Sequence, residues 1–194
     1  MRGEVPKSVD TADIYAAAIA LFCERGFGGT TTRQIADRAG INEVTLFRRF
    51  GSKAALMEAA IIDALAEAPF GQVAPSADVT SDLSTIVEAY LATYQRHGGL
   101  ALTLFSQLPQ HPELAGTTPA LMENLQNVAG VLAHHQAQGR IRPGNPIRFA
   151  VELIAPLAMV GFLNQLGIGP GHPGLDLNDY VETYLQGHQG LQPG

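Results

Sequence analysis

The chain has 194 residues, of which 46% are hydrophobic and 15% are charged, and it carries a formal net charge of −6. A chain of this length buries enough surface to hold a core without disulfides or metal, and its apolar fraction excludes wholesale disorder. The single cysteine, Cys23, excludes an intrachain disulfide and a cysteine-based zinc site. The excess of acidic residues argues against a protein that binds polyanions with its whole surface, but it is compatible with a local basic patch.

Two segments bear on the cellular compartment. Residues 1–9 contain Arg2, Pro6 and Lys7, lack the apolar stretch of a signal peptide, and are expected to form a flexible arm. The most apolar stretch, residues 149–163, contains Glu152 and is predicted to be too short to span a bilayer. We therefore expect a cytoplasmic protein.

Strand signals are almost absent, whereas Ala- and Leu-rich segments of helical length recur between Gly and Pro breaks. This pattern predicts an all-α fold of about nine helices. A turn-rich break at residues 69–80 predicts a boundary between an N-terminal unit, residues 10–66, and a C-terminal helical domain, residues 67–194.

The N-terminal unit begins with a helix predicted over residues 10–25, which Gly26 ends. Its apolar stripe consists of Ile14, Ala17, Ala18, Leu21 and Phe22. Two short helices follow over residues 32–39 and 43–50, joined by a three-residue turn that contains Gly40, and a longer helix then covers residues 53–66. Three helices in this order predict a helix-turn-helix.

The charge distribution supports a nucleic-acid partner for this unit. Residues 25–53 contain six cations and two anions, a net charge of +4, so the other residues together carry −10. A basic segment on an acidic chain is typical of a protein that meets DNA with one face.

The first turns of the two short helices carry groups that suit DNA. Backbone N–H groups at the start of the first helix, with the Thr32 hydroxyl, suit a phosphate oxygen. The first turn of the second helix, Asn42, Glu43, Val44 and Thr45, is the part that enters the major groove in such motifs. Val44 and the Thr45 methyl group suit thymine methyl groups, and Glu43 suits the N4 donor of cytosine.

Farther along the second short helix, and at the start of the next one, cationic side chains are expected to face DNA and apolar side chains to face the core. Arg48, Arg49 and Lys53 suit phosphates, and Arg48 also suits guanine O6 and N7. Leu46 and Phe50 are expected on the buried side.

Simpler roles stay open for several residues. Glu43 at a helix N-terminus also stabilises the helix through its dipole, without touching a base. Arg25 and Arg38 are expected to be solvated rather than bound to DNA, and Cys23 to be a small buried side chain rather than a redox sensor. For the whole unit, the alternative is a three-helix core with no nucleic-acid partner.

A set of positions at fixed spacing covers most of residues 10–60. These positions are 14–27, 31–32, 35–36, 39–41, 45–47, Phe50 and 52–56. In them the chain resembles the N-terminal domain of the TetR-type transcriptional regulators. The resemblance implies a homodimeric, all-α repressor that binds a palindromic operator, with a divergent C-terminal domain that holds a small-molecule pocket and the dimer interface.

The resemblance also implies which residues contact DNA. They are Thr32, Arg33, Asn42, Glu43, Val44, Thr45, Phe47, Arg48, Arg49 and Lys53. The family usually has Tyr at the position of Phe47, so a hydrogen bond to phosphate of about 1 kcal/mol is missing. It often has Gly at the position of Val44, where this chain offers an apolar base contact instead.

In the C-terminal domain, the helix predicted over residues 146–166 is apolar nearly all round, which is typical of burial on more than one side. One side is expected to meet a partner subunit. The last helix, over residues 177–188, is expected to complete a four-helix dimer interface. Its apolar residues at helical spacing are Tyr180, Val181, Tyr184 and Leu185.

A ligand pocket is expected between helices five and eight, for a small and largely apolar effector, because this half has few charges. The candidate wall residues are Tyr90, Tyr94, Phe105, Met122 and Met159, with Gln126 or Gln107 as polar contacts. Plain core packing is the alternative for each of them. Glu152 is expected to pair with Arg148 rather than with a cationic ligand. An effector that fits only when the fourth helix tilts would change the spacing of the DNA-reading helices.

Enzyme signals are missing from the sequence. The six histidines include no pair at metal-ligand spacing with an acidic partner, and no nucleophile, phosphate-loop or dinucleotide motif occurs. We therefore expect neither catalysis, nor a metal site, nor a cofactor. The alternatives to a ligand-released repressor are a helical interaction module and a ligand-independent regulator with the same fold.

Overall fold

A computed structural model describes residues 10–169 and 176–188. Within them the chain forms nine α-helices, which are α1 (Thr11–Gly29), α2 (Thr32–Ala39), α3 (Glu43–Phe50), α4 (Lys53–Ala66), α5 (Val79–His97), α6 (Leu100–Gln107), α7 (Thr118–Ala137), α8 (Pro146–Gln165) and α9 (Leu177–His188). Two 3₁₀ helices, Pro69–Gln72 and Pro112–Thr117, precede α5 and α7. The all-α prediction is confirmed. The expected arm at residues 1–9 lies outside the described residues.

Side-chain caps explain where the short helices begin. Thr31 and Gln34 form a reciprocal capping box at the start of α2, with hydrogen bonds of 3.2 and 3.0 Å. Asn42 caps α3 and Ser52 caps α4, each by accepting a backbone N–H. The predicted bounds of α3 and α4 are therefore confirmed.

Two helices extend beyond their expected bounds by two residues or more. The backbone of α1 leaves helical geometry at Gly26, with φ 68° and ψ 178°, and then resumes for one turn to Gly29. Helix α5 begins at Val79, inside the turn-rich break expected at residues 69–80, because the Asp78 carboxylate accepts the N–H groups of Thr80 and Ser81.

The first hydrophobic core joins the N-terminal unit to part of the C-terminal domain. It contains the buried apolar residues of α1 to α4, and also Leu100 and Leu104 of α6 and Leu114 of the second 3₁₀ helix. Helix α6 therefore packs directly on the helix-turn-helix unit, across the boundary expected at residues 66–67.

A buried polar network lies beside the second core, which α5, α7, α8 and α9 form. The Asp82 carboxylate accepts the Ser76 hydroxyl at 2.6 Å and contacts His135 Nε2 at 2.8 Å. Arg140 contacts His135 Nδ1 at 3.2 Å. Because arginine only donates, Nδ1 accepts and Nε2 carries the proton that is donated to Asp82.

Helix α8 is both long and apolar. By length and composition alone it is able to cross a membrane, with a mean hydropathy of 1.7 over its most apolar 18 residues, of which 28% are buried. The apolar stretch at residues 149–163, expected to be too short to span a bilayer, lies within this longer helix, which extends beyond it at both ends. A single such helix is weak evidence for a membrane, since core helices of soluble proteins pass the same test.

The exposed side of α8 carries large apolar side chains. Val151, Met159 and Phe162 are 45%, 51% and 41% exposed, and their spacing places them on one helix face. The ion pair expected on the same helix is confirmed, with Arg148 Nε 2.6 Å from the Glu152 carboxylate.

The apolar residues of α9, which were expected to complete a dimer interface, pack on their own chain. Val181 and Tyr184 are buried, and Leu185 packs against the second core. The Tyr180 and Tyr184 hydroxyls donate to backbone carbonyl oxygens of α8 at 2.6 and 2.9 Å. What α9 exposes is its polar side.

Candidate nucleic-acid interface

The helix-turn-helix exposes one face of each short helix. Ile35 of α2 and Leu46 of α3 are fully buried in the first core. Gly40 makes the turn possible by adopting a left-handed conformation with φ 69°. On the opposite side of α3, Val44 is 73% and Phe47 is 46% exposed. Thr45 is also exposed, so the predicted base-contacting turn faces outward.

Cations of this unit fall into two groups. Arg33 and Arg48 are exposed, and neither forms a hydrogen bond or an ion pair with another described residue. Arg38 pairs with Glu24 at 2.7 Å. Arg49 contacts Thr11 and lies over the Phe50 ring. The structure therefore leaves Arg33 and Arg48 available to an external anion.

Lys53 is directed toward its own chain. Its Nζ donates to the carbonyl oxygens of Phe27 at 2.8 Å and Thr30 at 3.0 Å, and lies 4.0 Å from the centre of the Phe27 ring. Partial burial lowers the pKa of this ammonium group. In this structure Lys53, expected at a phosphate, ties the start of α4 to the end of α1.

Thr32 and Glu43 contact each other. The Thr32 hydroxyl donates to Glu43 Oε1 at 2.6 Å, which joins the first residues of α2 and α3. This bond uses the hydroxyl proton that was expected to reach a phosphate. The capping box of α2 employs the N–H of Gln34, so the N–H groups of Thr32 and Arg33 are those that a phosphate would meet.

Only part of the expected ligand pocket comes together. Tyr90 and Tyr94 line a cavity of about 50 Å³ between α4, α5, α6 and α7. Phe105, Met122 and Met159 are 57%, 38% and 51% exposed. Gln126 is exposed as well, and none of these four residues lines this cavity.

Gln107, which was expected to offer a polar contact to a ligand, contacts the end of α1 instead. Its side-chain oxygen accepts the backbone N–H of Phe27 at 3.0 Å, next to the break in α1 at Gly26. A side chain at position 26 would clash with Gln107, since a Cβ there would lie 2.8 Å from Oε1. Sequence reasoning missed this contact, although Gly26 was a signal that the backbone changes direction there.

A larger groove of about 640 Å³ lies between α1, α4 and the end of α5. It contains none of the expected ligand residues, and Cys23 lies in its wall. The Cys23 thiol donates to the His97 carbonyl oxygen at 3.3 Å, and burial raises the pKa of this thiol to about 12. Across the part of the chain that the structure describes, no three His, Cys, Asp or Glu side chains cluster as metal ligands would.

Known proteins similar to this chain are regulators of transcription. Residues 14–60 match the family model described as bacterial regulatory proteins, tetR family. The HTH-type transcriptional repressor AcnR of Corynebacterium efficiens is 27% identical over 178 residues, which cover 90% of this chain and 91% of that protein.

Solved structures share the fold over nearly the whole chain. A TetR-family transcriptional regulator from Mesorhizobium loti has a TM-score of 0.70 at 18% identity, covering 96% of this chain and 100% of that one. The flavonoid-responsive regulator FrrA has a TM-score of 0.64 at 23% identity, covering 94% of this chain and 98% of that one.

The family match and the exposed face of α3, the recognition helix expected to enter the major groove, both indicate a DNA-binding protein. Regulators of this family bind DNA and are typically dimers, and the similar proteins are regulators rather than enzymes. Residues 14–60, which form the helix-turn-helix, match the tetR family of bacterial regulatory proteins, and over 90% of its length the chain is similar to a transcriptional repressor.

Proposed function

We propose that the protein is a repressor that binds a palindromic operator as a homodimer in the cytoplasm and is released by a small, largely apolar effector. The observation that carries the DNA-binding part is the outward face of α2 and α3. Arg33 and Arg48 are exposed without partners in the described chain, beside the exposed apolar side chain of Val44. Cationic side chains that no carboxylate neutralises, on or beside a helix that fits the major groove, suit the phosphates and base edges of DNA.

Dimerisation is supported by α8. Val151, Met159 and Phe162 form an exposed apolar face, and burying such a face against a second copy removes it from water. Two copies also place two recognition helices on successive major grooves, about 34–36 Å apart. In this proposal α8 supplies the apolar contact and α9 a polar edge.

The dimer is tested by light scattering at micromolar concentration. Phe162→Glu places a charge on the exposed face of α8 and is expected to give a monomer, because an unpaired charge is costly to bury. Gln126→Glu on the exposed side of α7 is the matched control and is expected to stay dimeric. A stable monomer of the unmodified protein overturns the dimer.

Effector release is supported by a chain of contacts from the small cavity to the DNA-binding unit. Gly99 and Leu102, near the start of α6, line the cavity, and Gln107 at the end of α6 holds the N–H of Phe27. Lys53, at the start of α4, holds the carbonyl oxygen of the same residue. An effector that widens the cavity by displacing α6 would therefore change the tilt of α4 and the spacing of the two recognition helices.

An effector requires the cavity to open. Ligand pockets are commonly about 300–1,000 Å³, whereas this cavity measures about 50 Å³. Phe70 and Tyr90, whose rings meet edge to face at 5.6 Å, lie in its wall and favour an aromatic or aliphatic molecule. That FrrA is described as flavonoid-responsive supports an aromatic effector for this fold.

Selection of bound DNA from a random pool tests the proposal. A dimeric repressor is expected to enrich an inverted repeat, with binding that weakens steeply as salt rises. Enrichment of no sequence, or binding insensitive to salt, contradicts it. The second candidate, a ligand-independent regulator, is favoured by the small size of the cavity and predicts operator binding that no metabolite extract reverses.

A further inference from the structure

Thr32 and Glu43 form a pair on the DNA-facing side of the helix-turn-helix. They are the first residues of α2 and α3, and the hydrogen bond of 2.6 Å between them uses Glu43 Oε1. The other carboxylate oxygen, Oε2, has no hydrogen-bond or ion-pair partner among the described residues. One oxygen is thus held by the protein, and the second is left to accept from outside.

We propose that Glu43 recognises a cytosine in each operator half-site through Oε2, and that Thr32 is the positioning residue that orients it. This inference rests on the proposed operator binding. It assigns Glu43 a base-reading role where the sequence alone left a purely helix-stabilising role open.

The chemistry of the major groove selects the base. A carboxylate only accepts hydrogen bonds, so it requires a donor. Cytosine presents its N4 amino group without a neighbouring acceptor, whereas the N6 amino group of adenine stands beside N7, and guanine and thymine present acceptors. A carboxylate is also repelled by phosphates, so Glu43 gains nothing from the backbone of DNA and contributes only where a cytosine amino group meets it.

Glu43→Gln tests the base assignment because glutamine has nearly the same shape. Its amide oxygen retains the bond from Thr32, and its NH₂ group then occupies the place of Oε2 and donates. At one position in each half-site, the preference is expected to change from cytosine to guanine or thymine. The affinity for the cytosine operator is expected to fall about five- to tenfold, the scale of one base contact.

Variants of Thr32 test the positioning role. Thr32→Ser retains the hydroxyl donor and is expected to keep the cytosine preference. Thr32→Val removes the donor, so the carboxylate turns freely and the preference weakens. In the double variant Thr32→Val with Glu43→Gln, the amide has no fixed orientation, and the guanine or thymine preference of Glu43→Gln is expected to disappear.

Asp37→Asn is the matched control. Asp37 is the other anion of the basic segment and is exposed on α2. Its neutralisation is expected to strengthen binding to all sequences alike, without changing the base preference. Far-UV circular dichroism and thermal unfolding of every variant show that the helices remain folded.

The measurement is the base frequency at each half-site position after selection from a random pool, with the affinity for single-base operator variants. An unchanged preference in Glu43→Gln overturns the base assignment, and equal preferences in Glu43→Gln and the double variant overturn the role of Thr32. In both cases the unmodified protein still enriches an operator, so its function stands. If the unmodified protein enriches no sequence, the proposed function fails and this inference fails with it.

Discussion

The side-chain amide of Asn124 on α7 donates a hydrogen bond of 2.8 Å to the carbonyl oxygen of Leu65, in the last turn of α4. Asn124 is buried, and Gly71 provides the space for it, since a Cβ at that position would lie 2.1 Å from Asn124 Oδ1. The end of α4 is therefore fastened to the C-terminal domain, while Lys53 fastens its start to α1.

Replacing Asn124 is expected to loosen this attachment. Asn124→Ala removes the donor in a buried site and should lower the free energy of unfolding by about 1–3 kcal/mol. Asn127→Ala, at an exposed position of the same helix, should change it by less than about 0.5 kcal/mol. Denaturant unfolding of the two variants checks this, and equal losses would contradict it.

Gly161 on α8 is expected to tolerate no side chain. A Cβ there would lie 2.5 Å from the ring of Tyr94, whose hydroxyl donates to the Gly161 carbonyl oxygen at 2.6 Å. Gly161→Ala should therefore destabilise the fold by about 1–3 kcal/mol through overpacking. Gly130→Ala on α7, where nothing lies within 4 Å, should stabilise it by up to about 1 kcal/mol. If thermal unfolding shows that both substitutions lower the stability, or that both raise it, the packing described here is contradicted.

Two cations of the helix-turn-helix are expected to behave differently in the absence of DNA. Lys53→Met removes two hydrogen bonds to carbonyl oxygens and should lower the stability of the free protein by about 1–2 kcal/mol. Arg48→Met, at an exposed position, should leave that stability within about 0.5 kcal/mol and weaken operator binding by about 1–3 kcal/mol. Unfolding without DNA and titration with operator separate these effects. A Lys53→Met protein as stable as the unmodified one would show that Lys53 serves DNA alone.

Acid is expected to weaken the fold partly through Asp82. Burial alone would raise the pKa of this carboxyl, but hydrogen bonds from Ser76 and His135 outweigh it and hold the pKa below its usual range. The stabilisation is therefore complete above the ordinary carboxyl pKa and is lost as the pH falls through the lowered value.

The test of this prediction is the pH dependence of unfolding. Between about pH 5 and about pH 2, the free energy of unfolding should fall less steeply in Asp82→Asn than in the unmodified protein. Asp82→Asn should also be less stable near neutral pH. Ser76→Ala, which removes one donor to the carboxylate, should give an intermediate slope. Parallel curves for the unmodified protein and Asp82→Asn would argue against the lowered pKa.

The short helices could be predicted from the sequence because their signals are local. Asn42 and Ser52 cap helices whose first residues follow directly, and the apolar stripe of α1 is fully buried. At Gly26, the sequence predicted a helix end but not the extra turn to Gly29. In that turn the Phe27 N–H donates to Gln107, which is 80 residues away in sequence.

The candidate site was harder to predict because its contacts join different helices. The bond from Thr32 to Glu43 spans 11 residues, and that from Lys53 to Phe27 spans 26. Helical periodicity places a side chain on a face but does not say which neighbour covers that face. For the same reason only some of the residues predicted to line a pocket do so. Tyr90 and Tyr94 line a cavity, whereas Phe105 and Met122 are exposed to solvent.

The protected thiol of Cys23 has a practical consequence for measuring the DNA-reading geometry. With a pKa of about 12, it is almost wholly protonated at neutral pH, and only the thiolate reacts with labelling reagents. A cysteine introduced at Val44, which is 73% exposed, should therefore take up a spin label first. The distance between two such labels would report how far apart the paired recognition helices stand, with and without a bound small molecule.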